Sequence, residues 1–327
     1  MLFMSFAHRA GSAIATLALA ALPALAQSGQ WPDRPVKMIV PLGAGGPADL
    51  VGRYIAQQLG ERFKQSFFIE NRPGAAGIIG TAEAAKAAPD GYTLLVVASP
   101  HINLELLNHN RPYQLMRDFV AVAPAFSYDA VMAVHPSVPA KTLKEFIALA
   151  KSQPGKLTYA SSGPGSNKHL GGELFKLMSG TDLLHVAYKG STGARNDLMG
   201  GHVHMMFDEV PSSGPNVLAG QLRALGVTGA KRSPVLPNVP TVSEAGLPGY
   251  EHTGWSGIMV PAGTPKPIVD LLNTEIRKLV AKPEVKIAWE KQGAETMSMT
   301  PAEFDAYLRE ELVKWGKVVK DANIKLQ

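Results

Sequence analysis

Short apolar runs alternate with helix-patterned stretches along almost the whole chain, and this restricts the fold more than any other feature. "VKMIV" (36–40), "SFFIE" (66–70), "YTLLVVA" (92–98), "KLTYASS" (156–162), "LLHVAY" (183–188), "VHMMF" (203–207), "LRALGVT" (222–228) and "GWSGIMVP" (254–261) read as strands. Between them the spacing predicts helices, one of them through Leu50, Tyr54, Ile55 and Leu59 and another over "TAEAAKAA". This alternation implies an α/β fold with mostly parallel sheets. From Phe119 to His135 the chain stays extended for longer than one strand needs, as it would if it left one sheet and entered another. Thr142–Glu145 and Thr300–Glu303 have the spacing of capping boxes, the second with proline at the first helical position. Phe304, Leu308, Leu312 and Trp315 form the apolar face of a last helix.

The N-terminus reads as an export signal: Arg9, a short apolar stretch, then Ala24-Leu25-Ala26. Cleavage after Ala26 is expected, which makes the mature chain an exported one. No later stretch reaches the roughly 20 apolar residues of a membrane span. Without any cysteine there are no disulfides, thiolate metal sites or cysteine nucleophiles. The remaining length of about 300 residues exceeds what one core usually organises, so two lobes are expected. The net charge of +5 is scattered singly, which argues against a nucleic-acid partner and leaves room for a small anion.

Three strand-to-helix turns are rich in glycine and small hydroxyls: "PLGAGGPAD", "SSGPGSNKH" and "YKGSTGARND". Such a turn exposes the unpaired N–H groups of the helix's first turn at the positive end of its dipole, a general anion site. Gly43, Gly45 and Ala48 match G-x-G-x-x-A, and Glu70 follows at the distance of a ribose-binding acid. Pro47, which lacks an N–H, and the negative Asp49 argue against a pyrophosphate there. Asp49 would either order a bridging water or repel the ligand. Ser161, Ser162 and Ser166 make the second turn the hydroxyl-rich one.

Catalytic and metal patterns are weak. There is no Walker, G-x-S-x-G or H-E-x-x-H pattern. Ser162, His169 and Asp208 could be assembled into a hydrolytic set, as in any chain of this size. His202 and His204 share a strand face without a third ligand. His101 sits either near a ligand's far end or as a helix cap. Lys189 sits either against a carboxylate or at the crevice rim. Arg72 locks its own loop.

The segments "WPDRPVKMIVPLGAGGPAD", "ENRPGAAGIIG", "SSGPGSNKHLGGELF", "YKGSTGARNDLMGGHV" and "VTGAKRSPVLPNVPTVSEAGLPGYE", in this order, resemble the Bug family, the solute-binding receptors of tripartite tricarboxylate transporters. The resemblance implies a type II periplasmic-binding fold with mixed sheets. Lobe 1 would comprise 31–125 and 228–327, and lobe 2 would comprise 126–227. It also implies a carboxylate held between the turns Leu42–Asp49 and Ser161–His169, partly through ordered water. Leu42 and Ala48 stand where the family often has an aromatic and a hydroxyl residue. Met205, Met206 and Asp208 would meet the ligand's distal part. The candidate ligand residues are therefore Leu42, Gly43, Ala44, Gly45, Gly46, Asp49, Ser99, His101, Ser161, Ser162, Gly165, Ser166, His169, Lys189 and Asp208. The expected function is capture of a small mono- or dicarboxylate, aliphatic or aromatic, by a monomer without cofactor or metal. The receptor would then deliver it to the large and small membrane subunits of a transporter. A periplasmic ester hydrolase and a ligand-presenting sensor subunit are the alternatives.

Overall fold

The structure is a computed structural model that describes residues 31–324; the expected signal, 1–26, lies outside them. β1 (Val36–Val40) leads through a glycine turn into α1 (Pro47–Phe63), followed by β2 (Phe67–Asn71), α2 (Ile78–Ala85) and β3 (Thr93–Ala98). α3 (Ser99–Leu107) and the short α4 (Leu115–Asp118) precede β4 (Phe119–Val134), which is 16 residues long. Next come α5 (Leu143–Ser152), β5 (Thr158–Ser161), α6 (Asn167–Ser179), β6 (Leu184–Ala187), α7 (Ser191–Met199), β7 (Met205–Glu209), α8 (Val210–Leu218) and β8 (Arg223–Val227). The chain finishes with α9 (Val242–Ala245), β9 (Thr253–Pro261), α10 (Lys266–Ala281), α11 (Pro283–Glu290), β10 (Ala294–Thr296) and α12 (Pro301–Asp321).

β4 organises the whole. Its residues Phe119–Asp129 pair antiparallel with β9, while Ala130–Val134 pair with β7 and, from Val131, with β8. One strand thus belongs to two sheets and changes from one to the other between Asp129 and Ala130. The first sheet runs β2-β1-β3-β9-β4 with β10 on the far side of β4, and the second runs β6-β5-β7-β4-β8. The β1, β2, β3 and the β5, β6, β7 arms are parallel, as right-handed βαβ units require. Every antiparallel ladder among the described residues involves β4 or β9, the strands that cross between the arms. Parallel ladders between named strands are therefore confined to the arms, a smaller share than strand–helix alternation alone suggests.

The side-chain period of two carries the packing. Ala130, Met132 and Val134 of β4 enter the larger apolar core with Phe146, Phe175 and Phe207. Val131 and Ala133 point the other way, into a second core with Ala160, Leu198 and Val227. Met205 and Met206 divide in the same manner and are both fully buried, so neither lines the cleft described below. On α12 the capping box is complete: Thr300 N–H donates to Glu303 Oε2 at 2.7 Å, and Glu303 N–H to Thr300 Oγ1 at 3.3 Å. On α5 only half of it forms. Thr142 Oγ1 accepts from Glu145 N–H, but the Glu145 carboxylate accepts from Lys141 N–H one residue earlier.

Candidate functional site

The carboxyl ends of β1, β3, β5, β6 and β7 open onto one cleft of about 560 Å³. Its walls are the turns that follow those strands, with Tyr128 of β4 at the point where the two sheets meet. Each turn feeds directly into a helix, so the N-termini of α1, α3, α6, α7 and α8 converge on the same space. In an α/β fold this is where unpaired N–H groups and positive dipole ends accumulate.

The turns before α1 and α6 are built alike. Gly45 and Gly165 both adopt φ +76°, a left-handed conformation that favours glycine. Gly46 N–H donates to Gly43 O, and Ser166 N–H to Gly163 O. The third residue of each helix then reaches back into its own turn. Gly45 N–H donates to Asp49 Oδ2 at 2.9 Å, and Gly165 N–H to His169 Nδ1 at 3.1 Å. With those bonds made, the N–H groups of Ala44 and Ala48 on one wall, and of Asn167 and Lys168 on the other, have no protein acceptor among the described hydrogen bonds. Two rigid cradles with open donors therefore face one cleft.

Of the sequence candidates, Leu42, Gly43, Ala44, Gly45, Gly46, Ser162, Gly165 and Ser166 line the cleft. Asp49 does not. Its carboxylate is 3 % exposed and also accepts from Arg53 Nε at 2.9 Å and Asn71 Nδ2 at 2.7 Å. Burial works to raise its pKa, but Arg53, Gly45 N–H and Asn71 outweigh it and hold the group below the usual range. Asp49 orders its loop rather than facing an anion. His169 has the matching place in the second turn, stacked on His185 at 4.2 Å. Ser161 is fully buried and lies 2.7 Å from His185 Nε2. His101 is buried, accepts from Ala98 N–H at 3.1 Å, and is pushed down to about 4 by desolvation, so it serves as the helix cap. Ser99 accepts from Asn167 Nδ2 at 2.6 Å, a bond between α3 and α6 behind the cleft wall. Lys189 is exposed and lies off the cleft lining. Asp208 is fully buried beneath it.

The hydrolytic set does not come together: Asp208 accepts from Arg195 and Ser213, and His169 is turned to Gly165. Glu70 pairs with Lys37 at 3.1 Å and with Arg72, so it is turned from the glycine turn into a surface ion cluster. His204 accepts from Thr158 N–H at 3.0 Å, and no group of three or more metal-ligating side chains forms among the described residues.

Sequence reasoning missed Tyr128, Lys168, Arg195 and Glu209, all of which line the cleft. It also missed Ala76, at the cleft wall with φ +56°. Ala76 belongs to a run of four left-handed residues, Gly74–Gly77, in which two alanines carry strain of the kind that gathers at binding sites.

Fold and cleft together define a periplasmic-binding-protein architecture whose glycine turns line one cleft. The chain belongs to the tripartite tricarboxylate transporter receptor family, whose profile matches residues 51–324. It is 38 % identical over 290 residues to the UPF0065 protein of the tcbD–tcbE intergenic region in Pseudomonas sp. strain P51, covering 88 % of this chain and 86 % of that one. The solved R. palustris protein Rpa4515, with adipate, superposes at a TM-score of 0.83 and 37 % identity, over 90 % of this chain and 99 % of its own. MatC of R. palustris, with bound malate, does so at 0.78 and 31 %, over 88 % and 99 %. Among the described residues no helix is long and apolar enough to cross a membrane.

Proposed function

We propose that this chain is a periplasmic receptor that captures a small organic carboxylate between two lobes and presents it to the membrane subunits of a tripartite transporter. The lobes would be the two sheets with their helices, joined where β4 and the segment after β8 pass between them. The observation that carries the reading is the pair of equivalent cradles, each with its N′ glycine tied to its own third helical residue and its first-turn donors left open. Backbone donors fixed in this way bind an anion without having to reorganise. The relatives solved with adipate and malate support the same ligand chemistry. A receptor needs no nucleophile, and Ser162 has no basic partner among the described hydrogen bonds.

A thermal-shift screen over aliphatic and aromatic carboxylates tests the reading. A ligand at 100 times its Kd adds about 2.7 kcal/mol, or roughly 5 °C for a protein of this size. If no carboxylate moves the midpoint, the reading fails.

Ser162→Ala removes a hydroxyl that lines the second cradle. With the best acid from the screen it should weaken binding roughly 10- to 150-fold, the worth of one hydrogen bond to a charged group. Turnover of the corresponding ester, abolished by the same substitution, would instead make the protein a hydrolase.

A further inference from the structure

Three charged side chains reach the cleft: Lys168, Arg195 and Glu209. Two of them satisfy each other. Lys168, 5 % exposed, is paired with Glu209 and lies 3.4 Å from Asp208 Oδ1. Arg195 is bound differently. Its Nε donates to Asp208 Oδ2 at 2.6 Å, and neither Nη1 nor Nη2 has a protein acceptor among the described hydrogen bonds. The side chain is 18 % exposed and lines the cleft, so it presents an unfilled edge of its fork there.

The support behind Arg195 is rigid. Asp208 is fully buried, accepts from Ser213 Oγ at 2.6 Å and faces the Lys168 ammonium. Burial works to raise the Asp208 pKa, but Lys168, the neighbouring Glu209 and Arg195 together more than offset it, so the carboxylate stays charged and keeps hold of Nε. A guanidinium held at Nε can still pair bidentately through its Nη groups with a planar carboxylate. Glu209, the acidic group on the lining, is already paired with Lys168, and burial together with the neighbouring Asp208 pushes its pKa up.

Resting on the carboxylate reading above, we propose that Arg195 determines specificity by taking the second carboxylate of a dicarboxylate whose first is held by the cradles. Asp208 is the positioning residue that aims it. The cradles read one carboxylate in any acid; Arg195 rewards only an acid that has two.

Titration calorimetry with glutarate, adipate and pimelate, each against the monocarboxylate of equal carbon number, tests this. The wild-type protein should bind at least one diacid roughly 10- to 150-fold more tightly than its monoacid, as a charged hydrogen-bonded pair implies. In Arg195→Met that preference should vanish, the affinity for the diacid falling to that for its monoacid. Arg195→Lys should restore only part of it, because an ammonium lacks the fork. Arg195→Gln, with thermal midpoints of all variants, separates loss of recognition from loss of folding. Equal binding of diacid and monoacid by the wild-type protein overturns the proposal, as does a diacid preference that survives Arg195→Met. Preference for glutamate over glutarate, lost in Glu209→Gln, would move selection to Glu209 and overturn it too. If neither series binds, the carboxylate reading itself falls.

Discussion

Asp49→Ala should cost this protein both stability and ligand binding, although its carboxylate touches no ligand-facing space. Asp49 is nearly sealed from solvent and accepts from Gly45 N–H, Arg53 and Asn71. Breaking a buried charged network of this kind costs about 2–4 kcal/mol, which for a chain of this length is roughly 4–8 °C in Tm. The same change releases Gly45 from its left-handed turn, so carboxylate affinity should fall tenfold or more. Asp49→Asn separates this role from simple repulsion of an anion. It keeps an acceptor for Gly45 but loses the charge that binds Arg53, and binding should weaken modestly. Tighter binding by Asp49→Asn, or an unchanged midpoint in Asp49→Ala, would show that the carboxylate is not the tie. Because the folded pKa is lowered, the stabilisation is present at neutral pH and is lost as acid protonates the group.

Asp49 also shows where the sequence stops being legible. The turn "GAGGPAD" announces a helix N-terminus, because glycine, proline and a first-turn acid each have a local meaning there. Whether the acid faces a ligand or its own loop depends on which glycine N–H it can reach, and that requires φ +76° at Gly45. Aligning Gly43–Asp49 with Gly163–His169 gives G-x-G-[GS]-x-x-[DH], a pattern present in the sequence but without meaning until both third residues are seen to bend back. The long β4 was readable for a simpler reason, since an extended run of 16 residues is too long to be spent within one small sheet.

Of the charged cluster beside the cleft, only Asp208 was picked out from the sequence, and its partners were not. Lys168, Arg195, Asp208 and Glu209 come from three separate strand–helix units, and they meet because β5 pairs with β7 in the second sheet. Sequence reasoning chose Lys189 instead, one residue before the glycine that caps α7. It is close to the site along the chain, but exposed. Arg195 lies one turn further into α7, where a side chain leans back toward the helix N-terminus and so toward the cleft.

The second prediction concerns the place where β4 leaves one sheet for the other. Asp129 makes the last pairing with β9, opposite Thr253, and lies beside a smaller cavity of about 270 Å³ with Glu251, Glu295 and Lys231 on its lining. A Cβ on Gly229 would come within 2.3 Å of the Asp129 carboxyl, so the backbone packs directly on it. Burial, then the charges of Glu295 and Glu251, push Asp129 up to about 7 from 3.8. Between about pH 4 and 7 the folded chain therefore holds a proton that the unfolded chain has released, and stability falls as pH rises. At 1.36 kcal/mol per unit the loss by pH 8 is on the order of 2–4 kcal/mol. Asp129→Asn, neutral and nearly isosteric, removes that loss. The variant should match the wild-type midpoint near pH 4.5 and exceed it by roughly 4–8 °C at pH 8. Measuring the difference between the two proteins cancels the titrating groups that do not interact with Asp129, leaving Asp129 and its coupling to Glu295 and Glu251. Parallel midpoint curves from pH 4.5 to 8 would mean that Asp129 binds protons alike in the folded and unfolded chains, and that its burial there does not shift it.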